Sequence, residues 1–571
     1  MRSAPIPGRG AAGARPAGGR PASPVAELPD FFTRMRRDAL RALAAGPLYR
    51  HTLIGRVPAD LRVRIGERWP GDVQRGTALL AGDIELAGEL VRNPAPVWFP
   101  PGAGPDWLAA WHGFTWMADL MSVGASAREA ARALMRSWLA ENAKWHAIAW
   151  RSDVLATRIF AWMVHLDEIA GRETDRPLRR AILSSLAGQL RHLARTAAWE
   201  LYGAGRLCAL KGLIGGLIAF GGSERRIARA LRVVERELPI QILPDGGHLS
   251  RSPSAQLWVL RDLVDTRAAL RAGHVQVPGA LQDAIDRMAP MLRFFRHGDR
   301  RLALFNNSLE EDGVLVDLVL SKSDTKGRAP SQAPHSGFQR LHVGHSLVLV
   351  DTGKPPPRGF DEHAHAGPLS FEMSQGRDRI IVNCGGYRGT KPAWSRVMRA
   401  SAAHSVLVVG DTNAVEIRED GSVGRGPNAV RCERAEEAGH QWIAANHDGY
   451  RQRFGLLYSR ELYLGQEGDD LRGEDKLTGR SGAKFAVRFH LHPAVQASLD
   501  EGSGAAILRL PSGAVWRLRA SGAEISLGES VYLGAGEAQK TQQVVLSGTT
   551  GPSGSSVKWA IQREPGPRGQ A

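Results

Sequence analysis

Residues 361–386 read DEHAHAGPLSFEMSQGRDRIIVNCGG. Two histidines, His363 and His365, stand two apart, and a strand-like run follows that ends at Asn383. A second strand-like run, AAHSVLVVGD, opens at His404. If the HAH segment is extended, side chains two apart share one face, so both imidazoles look into one cleft. Imidazole is the usual metal ligand at neutral pH, and an Asn carbonyl adds a weaker donor. His365, Asn383 and His404 therefore read either as metal donors from three segments or as hydrogen-bonded core and loop residues.

The texture on either side of this stretch sets the architecture. Residues 338–353, FQRLHVGHSLVLVDTG, and later runs such as KFAVRFHLHP and AAILRLPSGAVWRLRAS alternate β-branched and polar residues between Gly-rich turns. Many short strands with frequent turns argue for an antiparallel β-sandwich. Upstream, from about residue 31 to 295, apolar residues recur every three or four positions, as in SDVLATRIFAWMVHLDEIA and SERRIARALRVVERELP. That period is helical, and the short breaks between segments imply antiparallel helix packing. The stretch 62–88, RVRIGERWPGDVQRGTALLAGDIELAG, reads as strand and turn instead. The expected organisation is a disordered basic arm over 1–28, a helical domain over 29–300, linker and first strands over 301–335, and a sandwich over 336–566.

The chain has 571 residues, too many for one compact core. Its formal charge is +16, from 74 basic and 58 acidic side chains, which favours polyanionic partners. No RNA- or DNA-binding motif accompanies the charge, so nucleic acid is not the expected partner. The first 28 residues carry no acid before Glu27 and no apolar h-region, so they do not read as a secretory signal and point to the cytoplasm. No run of apolar residues is long enough to span a bilayer. Cys208, Cys384 and Cys432 are widely spaced and suggest no disulfide framework.

HAHAGPLSFEMSQGRDRIIVNCGGY followed by RVMRASAAHSVLVVGD resembles the C-terminal domain of the heparinase II/III-type polysaccharide lyases. HDGYRQRFGLLYSRELYLGQEGDDLRGEDKL and FHLHP continue the likeness, and upstream WHGFTWMADL, WRSDVLATRIFAWM and LPDGGHLSRSPSAQLWVL resemble the helical domain of the same family. The resemblance implies an incomplete α/α toroid followed by an antiparallel β-sandwich. It also implies β-elimination at a uronic acid in an acidic polysaccharide or oligosaccharide. One group neutralises the sugar carboxylate, a base removes the C5 proton, and an acid protonates the leaving oxygen. Family enzymes of this kind are exported, usually to the periplasm, against the cytoplasmic reading of the N-terminus.

Carried over by position, His363 matches the first histidine of the family's HxH motif and serves as the catalytic candidate. His365 and His404 match zinc ligands of the metal-containing members, and Asn383 stands where those members have an aspartate. In the helical domain the tyrosine and histidine expected after the SPx element are Ala255 and Gln256, neither of which transfers protons usefully. Arg251, whose fork suits a carboxylate, His248 and Arg206 remain as substrate-binding candidates, with Tyr387 as a possible proton donor. Two functions follow: a lyase, or a catalytically impaired lyase-fold protein that binds an anionic polysaccharide.

Overall fold

The computed structural model describes residues 31–565, apart from 47, 66–68, 94–96, 143–144, 172–174, 481 and 501. The expected basic arm, 1–28, lies outside the described residues. Helices dominate up to Ser323 and antiparallel strands thereafter.

Three helices are buried on nearly every side: Ser152–Ile169, Gly203–Ala219 and Pro253–Ala272. A helix apolar all round belongs inside a protein, and the Gly203–Ala219 helix packs against both of the others. Gly212 permits the approach, because a Cβ there would stand 2.4 Å from Cα and Cβ of Ala156. Each is followed in sequence by a helix that buries one stripe and exposes the other: Arg176–Thr196, Glu224–Gln241 and Gly279–Phe294. Inner and outer helices thus alternate along the chain, which gives the two layers of an α/α toroid. Their starts are legible locally. Asp175 accepts from the Leu178 N–H at 3.1 Å, and Ser252 caps a helix whose first residue is Pro253.

Two stretches differ from expectation. Residues 62–88 are not mainly strand: Asp72 caps the helix Val73–Ala81 through the Gln74 and Arg75 N–H groups, and only Asp83–Leu86 and Glu89–Arg92 pair as a hairpin. Residues 301–335, expected as linker and first strands, carry the helix Gly313–Ser323, capped by Asp312, and only Gln332–Ala333 is strand. That helix packs on Pro253–Ala272 and Gly279–Phe294, so the helical layer runs past 300.

The sandwich has two antiparallel sheets. One runs Gln332–Ala333, Phe338–Val343, Ser346–Asp351, Phe371–Gln375, Asp378–Val382, Lys484–Leu491, Gln539–Thr549 and Glu524–Tyr532, with Leu407–Val409 also paired to Lys484–Leu491. The other runs Val430–Glu437, His440–His447, Leu457–Leu464, Asp470–Thr478, Ser555–Arg563, Val515–Ser521, Ala505–Arg509 and Gln496–Asp500. Their inner faces meet in a core that includes Phe371, Leu462, Phe489 and Trp559. The helical core does not stop at the domain border. It continues into Phe338, Leu347 and Leu349 of the first sheet, which fixes how the two domains face each other.

Candidate functional site

Two kinds of polar cluster lie between the helical domain and the first sheet. The first is a locked seam. Arg251, in the left-handed region at φ 58°, sends its guanidinium into the sandwich. It donates to the carbonyls of Ser336 at 2.7 Å, Lys354 at 2.7 Å and Gly337 at 3.1 Å, and pairs with buried Asp351. With Nε and both terminal nitrogens engaged, this arginine clamps two domains rather than facing a ligand. His248 is also buried. Its ring meets Ser250 Oγ at 2.7 Å and Gln241 Oε1 at 3.3 Å, and burial lowers its pKa to about 4. Gln256 completes that turn by accepting from the His248 N–H and donating to the carbonyls of Gly246 and Met288. Arg206 is held within the helical domain instead: it pairs with Glu237 and donates to the Leu201 carbonyl at 2.8 Å, over the ring of Tyr202. Further along the seam His297 joins Glu372 at 3.0 Å and Ser374 at 2.8 Å, all buried.

The HAH segment is not an extended strand, and its two imidazoles part company. The segment turns through the Ala364 N–H to the Asp361 carbonyl, at 3.0 Å, so His363 stays exposed while His365 goes inside. His404 Nδ1 faces the Ala400 carbonyl at 2.8 Å and so carries the proton. Its Nε2 then accepts from His365 Nδ1, 3.0 Å away. Burial holds both rings neutral, His404 with its pKa down to about 4.

These three positions do not fit a zinc centre. Asn383 is fully buried, and its carboxamide oxygen accepts from the Ser405 N–H at 3.0 Å. That bond fixes the amide orientation, and the NH2 left over is a donor only. His365 and His404 direct one nitrogen each at the other. Among the described residues no group of three or more His, Cys, Asp or Glu gathers as a metal site.

His363 opens onto the second cluster, a cleft. Its Nδ1 lies 3.2 Å from Asn307 Nδ2, and partial desolvation holds its pKa below the usual imidazole value, ahead of the opposing pull of Glu362. Arg388, Asp106 and Arg399 also act on this ring. Arg151, on the same side as Asp106 and Glu362, is held bidentately by Asp153 at 2.7 and 2.9 Å. Arg388 reaches Glu311 at 3.3 Å, and Glu311 also accepts from Ser254 Oγ at 2.6 Å and Trp258 Nε1 at 3.3 Å. Ala255, beside Ser254, is partly exposed and offers a methyl group where the resemblance expects a phenol. Tyr387 is partly buried, stacks on Trp394, and accepts from the Lys391 N–H at 3.1 Å.

Sequence reasoning missed Asn307, Glu311, Arg388, Asp106, Arg151 and Glu362. One local signal existed: Asn306 and Asn307 both take left-handed conformations, at φ 47° and 57°, and Asn does so most readily after Gly. Asn306 then ties the seam to the cleft, donating to the Arg251 carbonyl at 2.9 Å and accepting from the His365 N–H at 3.1 Å. The tryptophans of WHGFTWMADL, Trp111 and Trp116, stack in the helical core and do not face the cleft.

Comparison with known proteins places this arrangement. A family profile described as "Heparinase II/III-like, C-terminal" matches residues 325–560. FtsZ-localized protein C of Caulobacter vibrioides (strain NA1000 / CB15N) is 30% identical over 539 residues, 89% of this chain and 91% of that protein. This chain belongs to the heparinase II/III-like family. The crystal structure of heparinase III superposes with a TM-score of 0.71 at 14% identity, over 94% of this chain and 90% of that one. Heparan sulfate lyase HepC from Pedobacter heparinus gives 0.56 at 14% identity, over 93% and 88%. At those identities the likeness is one of fold. The expected α/α toroid followed by an antiparallel β-sandwich is therefore the fold that this chain shares with heparinase III. Within this heparinase II/III-like chain, the departures at Asn383 and Gln256 are buried, and the one at Ala255 is partly exposed.

Proposed function

We propose that this protein is a binding member of the heparinase II/III-like family. In this proposal its cleft holds a short glycan without cleaving it, and it works in the cytoplasm in company with FtsZ. The observation that carries the proposal is the partly exposed methyl of Ala255 at the position where elimination needs a phenol. Supporting it, Arg251 and His248 are committed to the seam, so neither is available to neutralise a uronate carboxylate. The company of FtsZ rests on the name of the relative that matches 89% of the chain. Two experiments test it. Incubation with a broad panel of uronic-acid polymers is expected to produce no unsaturated-uronate absorbance, and product from any of them overturns the non-cleaving assignment. A fluorescent fusion is expected to co-localise with FtsZ, and a diffuse or exported fusion overturns the placement.

One observation favours a second function, β-elimination on an acidic glycan. His363 is exposed and held neutral below its usual pKa, the state a general base needs. In that scheme His363 takes the C5 proton, a C4–C5 double bond forms as the C4–O4 bond breaks, and the Tyr387 hydroxyl protonates the departing oxygen. Arg388 would leave its 3.3 Å contact with Glu311 to meet the sugar carboxylate. Turnover that is present in the native protein and abolished in His363→Ala is the result that establishes it.

A further inference from the structure

The chain is strongly basic, but its cleft is not. Each guanidinium acting on His363 or beside it is already engaged. Arg151 is held by Asp153, Arg388 meets Glu311, and Arg399 donates to the carbonyls of Ala364, Asp361 and Gly421 at 2.7, 3.3 and 2.8 Å. Asp106 and Glu362 act on the same groups. With Asp361, which acts on Arg399, five carboxylates therefore stand against three guanidiniums around a neutral imidazole. Cationic charge gathers instead in places such as a pocket of about 230 Å³ lined by Arg64, Arg267, Arg271 and Lys322 with Asp324.

The neighbouring wall has its own chemistry. Ala255, Trp258 and Asp262 are partly exposed at spacings of three and four along the Pro253–Ala272 helix, so they share one face. Arg261 lies between the indoles of Trp258 and Trp69, 5.2 and 4.6 Å from the ring centroids, and steadies both. An indole presents an apolar face to the C–H side of a sugar ring, and carboxylates accept from sugar hydroxyls. The same carboxylates repel a polyanion.

We propose that the cleft takes an uncharged, hydroxyl-rich oligosaccharide, with one ring on Trp258 and its hydroxyls at Glu311, Glu362 and Asp106, and that it discriminates against uronate polymers. This rests on the binding role proposed above and names its ligand class. The test is calorimetric titration of the full chain with a neutral N-acetylglucosamine tetramer and with a tetrasaccharide that alternates glucuronate and N-acetylglucosamine, each at low and high salt. The neutral tetramer is expected to bind about tenfold tighter or better, with little salt dependence, since no counterion release accompanies an uncharged ligand. Trp258→Ala is expected to cost the neutral ligand about tenfold. Arg388→Ala, which leaves the cleft more acidic, is expected to weaken the glucuronate ligand further. Thermal melts confirm that both variants fold. Tighter, salt-sensitive binding of the glucuronate ligand overturns this inference and leaves the binding role standing. If neither ligand binds, both are overturned.

Discussion

The helical domain and the sandwich meet through two polar clusters, and the two use the same residue types in opposite ways. At the seam, Arg251 and His297 are buried, and each finds a carboxylate and further polar atoms: Asp351 and three carbonyls for one, Glu372 and Ser374 for the other. In the cleft, His363 is exposed with a single 3.2 Å contact, and Arg388 has one contact at 3.3 Å with its side chain 24% exposed. A buried charge survives only when its hydrogen-bonding capacity is satisfied, which makes such a group structural. A lightly held, accessible one is free to exchange its partner for a ligand. The difference teaches that an arginine or histidine in this family position is interpreted by its partners, not by its type.

Acid gives the largest expected effect, and it acts on buried histidines throughout both domains, His248 of the seam among them, while exposed His363 is not one of them. His112, His192, His248, His404, His447 and His490 have folded-state pKa values lowered to between about 3 and 4, mainly by burial. Unfolded, each titrates near 6.5. The unfolded state therefore binds more protons below 6.5, so stability is full above that pH and falls as pH drops toward 4. Each histidine adds a slope of about 1.4 kcal/mol per pH unit inside that window. Denaturant titrations at stepped pH values should show this steep loss, and a flat profile between pH 6.5 and 4 would break the assignment of these rings as buried and neutral.

Next comes the clamp. Arg251→Ala leaves Asp351 buried without its cation and should cost about 3–5 kcal/mol by chemical denaturation. A loss below about 1 kcal/mol would mean that the seam is not what holds the domains together.

The paired histidines supply a sharper contrast. His365→Ala strands the buried Nε2 of His404 and should cost about 1–3 kcal/mol, whereas His363→Ala should change stability by less than about 0.5 kcal/mol. Equal costs for the two would erase the distinction between seam and cleft. Smallest of all is the expected response to zinc. With Asn383 turned toward Ser405, added zinc should leave the melting temperature unchanged within error and elemental analysis should find no stoichiometric metal. A clear upward shift on zinc addition would show that the three positions rearrange into a donor set.

Much of the fold was legible because its causes are local. The three-and-four apolar spacing of SDVLATRIFAWMVHLDEIA, the Ser252–Pro253 helix start and the alternation in KFAVRFHLHP all act within a few residues. The two local errors had local reasons too: Asp72 and Asp312 are helix caps that a reading for Gly-rich turns passes over. The HAH motif was recognisable as a motif, and so was the loss of the phenol at Ala255.

What the chain order alone could not say is which polar side chains are occupied. Arg251 and Asp351 are 100 positions apart, Glu311 and Arg388 are 77 apart, and Asn307 and His363 are 56 apart. The sequence by itself determined the helical and strand periods, the order of the two domains and a few of the residues brought to their border, Arg251, Ala255 and His363 among them. Only the tertiary structure decided that Arg251 clamps, that His365 turns inward to His404 while His363 faces the cleft, and that a basic protein has a cleft with no surplus of positive charge. Secondary structure follows from neighbours in the chain, whereas the role of a charge follows from burial and partners, which only the completed packing of two domains supplies.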